Sequence, residues 1–329
     1  MSALITTDVT VAAAALRNAG LVAFPTETVY GLGADAANAH AVARIFAAKG
    51  RPRGHPIIVH VSDVADVDAW AEAVPDYAKR LVTAFWPGPL TVVLPRRPGV
   101  GGPAVAGMPT IGLRSPAHPL ARALLAAFGG AVAAPSANRF GRVSPTTAAH
   151  VVAELGDVLD PSIDRILDGG PCDVGVESTI VDCTGAVPRL LRTGSVIIEA
   201  IAATTGLDVA IGGGSIAAPG TLPSHYAPQA QVVVVQDVEL DDVLTTLQRK
   251  DPQHSLGLMA PAGISDREGV ARLAAPVDEA DYARLLYSAL RAADDAKLDV
   301  VIAVPPPDQG VGSAVGDRLR RAAHGTSTA

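Results

Sequence analysis

Residues 21–36 read LVAFPTETVYGLGADA, and this stretch decides how the N-terminal part of the chain is interpreted. Its first five residues are an apolar strand candidate, and the polar run from Thr26 to Tyr30 separates that strand from a glycine turn. A helix is predicted just before it, from Val9 to Asn18. Hydroxyl and carboxylate groups at a strand end predict a pocket for a small polar molecule or a capping motif for a following helix, and the segment supports both equally.

Further strands and helices alternate along the next 170 residues. Strand candidates are PIIVHV (56–61), LTVVLP (90–95), TIGLR (110–114), AVAAPS (131–136), RILDGG (165–170), STIVDCT (178–184) and RLLRTGS (189–195). Helical patterns lie at 76–85, 119–127 and 145–155. Because many strands are short and spaced like hairpins, the pattern predicts an α/β fold with a twisted mixed sheet and flanking helices.

The C-terminal third has a different pattern. Strands at 232, 256 and 299 alternate with helices that begin near residues 240, 282 and 313. This β-α-β-α-β-α series predicts a smaller, Rossmann-like parallel domain. Glycine, proline and small residues precede it, including GGGS and PGTLPSHYAP. We therefore expect a catalytic domain at 1–205, a linker or lid at 206–230 and a C-terminal domain at 231–329.

Composition excludes several classes of protein. Hydrophobic residues make up 49% of the 329 residues and charged residues 18%, with no apolar run long enough to span a membrane. The N-terminus lacks the features of a signal peptide, so we expect a cytoplasmic protein. Two cysteines are too few for a disulfide framework. A net charge of -7 argues against strong direct binding of nucleic acid.

The segment KGRPRGHP places Lys49, Arg51 and Arg53 within five positions. Pro52 keeps these cations out of a regular helix. An anionic ligand is their natural partner, and a solvated loop is the alternative.

Two more groups of polar residues follow apolar strands. Ser136 and Asn138 come directly after one strand, and Ser144 precedes Pro145 as in a helix N-cap, which is also a site for phosphate. Arg114 and Arg192 each end a strand, where a guanidinium can bind a carboxylate or phosphate or form a structural salt bridge.

The glycines of GLGADA (31–36) do not indicate a dinucleotide-binding enzyme. That fingerprint requires an acidic residue about 20 positions later for the ribose hydroxyls, and this chain has the basic segment there. The common P-loop, nucleophile-elbow and zinc-protease motifs are not found in the sequence either.

In order along the chain, PTETVYGLG, KGRP with PIIVHV, WPGPLTVVL, TIGLRSPAHP, PSANRFGRVSPT, VESTIVD, LLRTGS, HYAP and GSAVGDRLRRAA resemble the long, two-domain threonylcarbamoyl-AMP synthases. The resemblance covers nearly the whole chain, and it implies that residues 1–205 form a YrdC-like catalytic domain. It implies a nucleotidyltransferase that forms threonylcarbamoyl-AMP and pyrophosphate from L-threonine, bicarbonate and ATP with Mg²⁺. The product would pass to a tRNA threonylcarbamoyl transferase complex that modifies a tRNA adenosine.

The resemblance also implies site residues. The threonine site would comprise Thr28, His60, Arg114, Ala134 and Ser178. The ATP site would comprise Arg51, His55, Thr110, Ser136, Asn138, Ser144, Arg192 and Tyr226, with Lys49 and Arg51 catalytic and Tyr226 closing over the site from the linker. No metal ligand set is implied.

The chain departs from the family at His55, where asparagine is usual, at Thr193, where proline is common, and at Thr221 and Pro223 before HYAP. Two other functions are alternatives. A carbamoyl-adenylate-forming enzyme of hydrogenase maturation would carry acylphosphatase and zinc-finger segments that we do not find in this sequence. A non-catalytic RNA-binding regulator conflicts with the net negative charge.

Overall fold

A computed structural model of the protein describes residues 4–52, 54–212 and 226–326. The chain forms two compact units. Unit 1 comprises residues 1–140, 144–173 and 177–221, and unit 2 comprises residues 141–143, 174–176 and 222–329. Arg53 and most of the predicted linker, including nearly all of GGGS and the first part of PGTLPSHYAP with Thr221 and Pro223, lie outside the described residues.

Unit 1 is built on one large sheet. Its strands are β1 (Ile5–Thr6), β2 (Val22–Phe24), β3 (Gly31–Asp35), β4 (Val59–His60), β5 (Leu90–Pro95), β6 (Thr110–Arg114), β7 (Val132–Ala133), β8 (Arg165–Leu167), β9 (Thr179–Asp182), β10 (Arg189–Arg192) and β11 (Ala210–Ile211). The strand order is β1-β8-β2-β3-β7-β4-β6-β5-β9-β10-β11. Parallel pairs such as β4 with β6 alternate with antiparallel pairs such as β5 with β6, which confirms the predicted mixed sheet.

Helices cover both faces of this sheet. They are α1 (Val9–Arg17), α2 (Ala39–Lys49), α3 (Val67–Trp70), α4 (Asp76–Phe85), α5 (Pro119–Phe128), α6 (Ala148–Leu155) and α7 (Ile198–Thr205). In β2, Val22 and Phe24 pack in one apolar cluster with α1 and α5, whereas Ala23 belongs to the other. Since side chains alternate across a strand, burial on both faces explains why this strand is apolar throughout.

The glycine-rich segment after residue 30 is strand β3. A Cβ atom at Gly33 would lie 2.6 Å from Val132 Cγ1 and 2.8 Å from the Phe24 ring. Glycine is therefore required there for packing between neighbouring strands. The glycines of GLGADA therefore serve strand packing, which explains why the segment resembles a dinucleotide-binding fingerprint although the fold around it is different.

Unit 2 is a parallel α/β domain. Its strands are β12 (Gln231–Val234), β13 (Leu256–Met259), β14 (Val270–Ala274) and β15 (Val300–Ala303), and its helices are α8 (Leu240–Lys250), α9 (Glu279–Asp295) and α10 (Gly312–Thr326). The order is β12-β15-β13-β14, and every neighbouring pair is parallel. The predicted parallel domain is confirmed, and β14 is an additional strand that the sequence pattern did not indicate.

Two local predictions were wrong. The helix predicted from residue 145 begins at Ala148, because the Thr147 side chain and not that of Ser144 caps it, accepting from His150 N. PIIVHV forms a strand only at Val59 and His60, since these two residues pair in register with both β6 and β7. Within the described ranges, no helix has both the length and the apolar character needed to cross a membrane.

Candidate functional site

The ends of three neighbouring strands bring together residues that are predicted to bind L-threonine. His60, at the end of β4, pairs in register with Arg114 at the end of β6 and with Val132 of β7. Ala134 follows β7 and donates its backbone N–H to Ile58 O at 2.9 Å. Sheet register thus positions residues that are far apart in sequence.

Arg114 lies at the centre of this region. Its Nη1 donates to Thr28 Oγ1 at 2.9 Å and its Nε donates to Gly88 O at 3.2 Å. Its Nη2 lies 2.7 Å from Oε1 of Glu27, an ion pair between two buried side chains. Three groups therefore fix a guanidinium that is only 4% exposed.

Thr28 owes its position to the turn that precedes β3. Thr26 Oγ1 accepts from the backbone N–H groups of Thr28 and Val29 and lies 2.8 Å from Thr28 Oγ1. The polar segment therefore forms a closed turn that presents the Thr28 hydroxyl to Arg114. The alternative prediction, a capping motif for a following helix, was wrong, because strand β3 follows this turn.

His60 is buried and neutral. Burial, reinforced by the positive charge of Arg114, lowers the pKa of His60 to about 3. Its ring meets the ring of Phe24 edge-on with centroids 5.8 Å apart, and its Nδ1 has no hydrogen-bond partner within the described part of the chain. An uncharged ring with a spare polar atom can form a hydrogen bond to a ligand without a charge penalty.

Ser178 joins this region to Arg192. The Ser178 hydroxyl lies 2.8 Å from Thr91 Oγ1 and accepts from Arg192 Nη2 at 3.1 Å. Arg192 Nε also donates to the Ser178 carbonyl at 3.0 Å. Thr91 carried no signal in the sequence, because it lies inside the apolar strand β5 and meets Ser178 only through the parallel pairing of β5 with β9.

Lys49 ends α2 and is 3% exposed. Its Nζ donates to Ser136 O at 2.6 Å and also to Asn138 O. Burial, and next the neighbouring Arg51, lower the pKa of Lys49 well below its ordinary value. The predicted catalytic lysine therefore contacts the two predicted ATP residues that follow β7.

Arg51 and His55 share one aromatic neighbour. The Arg51 guanidinium lies 5.8 Å from the centroid of the Phe140 ring, and the His55 ring lies 5.6 Å from it. Arg51 Nη2 donates to Pro56 O at 3.1 Å. Burial, with a smaller contribution from Arg51, lowers the pKa of His55. The folded basic segment is therefore more than a solvated loop.

The remaining predicted ATP residues of unit 1 lie at two places. Ser144 is fully buried and donates its hydroxyl to Glu177 Oε1 at 2.7 Å. Thr110 lines a small cleft on the sheet beside Thr91 and Ile180. Glu177 is adjacent to Ser178 in the chain, so Ser144 is linked to the region of Arg192 through it.

Tyr226 belongs to unit 2, where its ring is 1% exposed. It stacks on Tyr287 with centroids 5.6 Å apart, and the Arg318 guanidinium lies 5.5 Å from its ring centroid. Its backbone has a φ of 64°, in the left-handed region that is uncommon for a residue other than glycine. Its contact with ATP stays a prediction.

Comparisons with known proteins identify the family of the chain. Residues 14–194 match the Sua5/YciO/YrdC family, described as telomere recombination, and residues 196–324 match the C-terminal domain of threonylcarbamoyl-AMP synthase. The chain is 40% identical over 323 residues to the threonylcarbamoyl-AMP synthase of Bacillus subtilis (strain 168), covering 95% of this chain and 92% of that protein. The protein of the same name from Pyrococcus abyssi is also 40% identical, and the match covers 95% of this chain and 93% of that protein. The structure of P. abyssi Sua5 complexed with L-threonine has a TM-score of 0.87 at 38% identity, covering 97% of this chain and 94% of that one.

Proposed function

Because the chain belongs to the Sua5/YciO/YrdC family and carries the C-terminal domain of threonylcarbamoyl-AMP synthase, we propose that unit 1 makes threonylcarbamoyl-AMP at the strand-end site around Arg114. The substrates are L-threonine, bicarbonate and ATP. The protein would act in the cytoplasm, and its product would supply a tRNA threonylcarbamoyl transferase complex.

The observation that supports this proposal most strongly is that the Arg114 guanidinium is held in place and still has N–H donors to offer. A guanidinium has five N–H donors, and Thr28 and Gly88 accept one each. Nη2 faces Glu27 as an ion pair without a hydrogen bond of good geometry, so the remaining donors can bind a substrate carboxylate. Because the guanidinium is already fixed, it loses little entropy when threonine binds.

The reaction needs positioning and charge neutralisation more than covalent catalysis. The amine of threonine and bicarbonate form a carbamate, and a carbamate oxygen then attacks the α-phosphate of ATP and expels pyrophosphate. In our proposal, Lys49 and Arg51 oppose the negative charge that develops on the phosphates. Ser136, Asn138, Ser144 and Arg192 would hold the nucleotide, and Mg²⁺ would arrive bound to ATP as part of that substrate.

Threonine would be selected by its methyl and hydroxyl groups. Thr28, Ser178 and the neutral His60 ring offer polar atoms to the hydroxyl, and Ala134 offers an apolar surface. A missing methyl group changes binding by about 1 to 3 kcal/mol, so selection against serine is expected to be modest.

The test is the dependence of pyrophosphate release on all three substrates. Threonine, bicarbonate and ATP together should release pyrophosphate and give an acyl-adenylate detectable by mass spectrometry, whereas any two should not. The reason is that the nucleophile exists only after carbamate forms. Equal release without bicarbonate would favour ordinary aminoacyl-adenylate formation and contradict the proposal.

A further inference from the structure

We propose that Glu27 is a catalytic residue that binds the ammonium group of L-threonine and accepts the proton this group must lose before carbamate forms. This inference rests on the proposed function. It assigns a role to a buried carboxylate that the resemblance places in neither the threonine set nor the ATP set.

The two carboxylate oxygens of Glu27 have different surroundings. Oε2 accepts from the backbone N–H of Ala117 at 3.0 Å, which fixes the carboxylate. Oε1 lies 2.7 Å from Arg114 Nη2 but accepts no hydrogen bond of good geometry from the described residues. A carboxylate oxygen can accept two such bonds, so Oε1 keeps capacity for a donor from the substrate.

The Arg114–Glu27 pair is complementary to a free amino acid. An α-amino acid zwitterion carries its carboxylate and ammonium on one carbon, and this pair offers a guanidinium and a carboxylate oxygen 2.7 Å apart. When Arg114 binds the carboxylate of threonine, the ammonium is directed to the neighbouring Oε1. Burial of both partners strengthens this recognition, because the effective dielectric constant is lower than in water.

The chemistry requires a proton acceptor at this point. Threonine enters with a protonated amine, which has no lone pair for attack. Transfer of one proton to Glu27 gives the neutral amine. The amine nitrogen then bonds to the carbon of bicarbonate, and the hydroxyl of bicarbonate leaves with the second amine proton as water. Glu27 afterwards releases its proton to solvent.

The charge of the substrate favours this transfer. In the free site, the positive charge of Arg114 faces Oε1 of Glu27 at 2.7 Å. The carboxylate of bound threonine offsets this positive charge while its ammonium group reaches Oε1. Bound threonine therefore brings both the proton to be transferred and the negative charge that compensates Arg114.

Other titratable groups near Glu27 keep one charge state between pH 7 and 9. Burial lowers the pKa of His118, whose neighbours include Glu27 and Asp173, and lowers that of His60 to about 3. Burial raises the pKa of Cys172 to about 12. Arg114 stays charged throughout. A change of rate over this pH range therefore reports mainly on the threonine amine and its acceptor.

The test is Glu27→Gln, which keeps the shape of the side chain and removes its basicity. At pH 7, carbamate-dependent pyrophosphate release should fall about 100-fold, the usual contribution of a positioned base. The share of neutral amine rises with pH and levels off above the amine pKa, so the defect should shrink steadily from pH 7 to pH 9. A defect of constant size over this range would overturn the proposal.

Binding gives a second readout. The wild-type protein should bind L-threonine more tightly than 3-hydroxybutanoate, which lacks the amine, and this difference should collapse in Glu27→Gln. An undiminished difference would show that another group binds the ammonium. The matched control is Asp182→Asn. It replaces a buried carboxylate that accepts a hydrogen bond from the Thr184 backbone N–H, and it should retain the pH profile of the wild-type protein.

Folding and the proposed function are tested separately. If Glu27→Gln melts well below the wild-type protein, Glu27→Asp replaces it; a base displaced by one methylene should give a smaller defect, and a wild-type rate would contradict the proposal. If the wild-type protein releases no pyrophosphate with all three substrates, the proposed function fails and the role of Glu27 fails with it. Wild-type release together with normal Glu27→Gln turnover at pH 7 overturns only the role of Glu27.

Discussion

The two halves of the site in unit 1 are organised differently. We call the proposed threonine-binding residues Thr28, His60, Arg114 and Ser178 the threonine half. The nucleotide half is the set of proposed ATP-binding residues Lys49, Arg51, His55, Asn138 and Ser144. In the threonine half the guanidinium of Arg114 is fixed by an ion pair and a side-chain hydroxyl. In the nucleotide half the cations of Lys49 and Arg51 contact backbone carbonyl oxygens.

This difference suggests how each half meets its ligand. A guanidinium fixed by side chains on strand ends and a tight turn is preorganised for one small carboxylate. A lysine or arginine bonded to carbonyl oxygens can exchange these neutral partners for phosphate oxygens, with which it forms stronger, charge-assisted bonds. We therefore expect substitutions in the threonine half to lower the stability of the protein. Substitutions in the nucleotide half should mainly lower turnover.

The largest effect should come from Arg114→Ala. Removal of this arginine leaves the Glu27 carboxylate buried without its counter-ion, which should lower the free energy of unfolding by about 3 to 5 kcal/mol and abolish use of threonine. Urea denaturation measures the stability. The control is Arg139→Ala at an exposed pair with Asp157, which should cost less than about 1 kcal/mol. Equal losses of unfolding free energy in Arg114→Ala and Arg139→Ala would show that the buried ion pair does not make the threonine half important for stability.

Lys49→Ala and Arg51→Ala test the nucleotide half. Each should lower kcat/KM for ATP about 100-fold, because each removes a positive charge that faces the phosphates in our proposal. Binding of L-threonine, measured by calorimetry, should change little. Lys79→Ala removes an exposed lysine and is the control. Normal turnover in both site variants would show that these two buried cations have only a structural role.

His60 should make the threonine half acid-sensitive. Its pKa is about 3 in the folded protein and near 6.5 when unfolded, so below pH 6.5 the unfolded chain binds a proton that the folded protein does not. The stabilisation is complete above pH 6.5 and is lost as pH falls toward 3, by up to about 1.4 kcal/mol per pH unit.

The measurement is the free energy of unfolding as a function of pH for the wild-type protein and His60→Gln. The variant should show a flatter dependence between pH 6.5 and 3, and His40→Gln at an exposed position should not. Identical profiles for wild type and His60→Gln would mean that other groups dominate the acid response.

The smallest effect should come from His55→Asn, which restores the residue usual in the family. His55 is half-buried and contacts Phe140, and an aromatic contact of this kind contributes about 0.5 to 1.5 kcal/mol. We expect KM for ATP to change less than about threefold, since an amide can still donate a hydrogen bond. A tenfold change would place His55 among the essential nucleotide contacts.

Local patterns in the sequence predicted part of this structure well. Strands β5 and β6 have the predicted bounds, 90–95 and 110–114, because each is a compact apolar run between turn residues. Helix α4 likewise spans 76–85 as predicted. Strand β14 was missed because VARLA is a short run with one arginine among small and apolar residues, and only pairing with β13 identifies it as a strand.

Contacts between distant residues could not be predicted in the same way. Ser144 has the local pattern of an N-cap, yet its hydroxyl donates to Glu177, which lies 33 positions away. Thr91 meets Ser178 across 87 positions through strand pairing. The resemblance to a family supplied the set of site residues, but not the ion pair between Glu27 and Arg114, which depends on where a turn and a strand end meet.

The two cysteines of the chain, Cys172 and Cys183, both lie buried in unit 1. Burial raises the pKa of both thiols, that of Cys172 to about 12, so that almost no thiolate exists at neutral pH while unit 1 is folded. Alkylating reagents attack the thiolate, and they gain access only when this unit opens. The rate of alkylation is therefore a built-in reporter of opening in unit 1 that requires no introduced label.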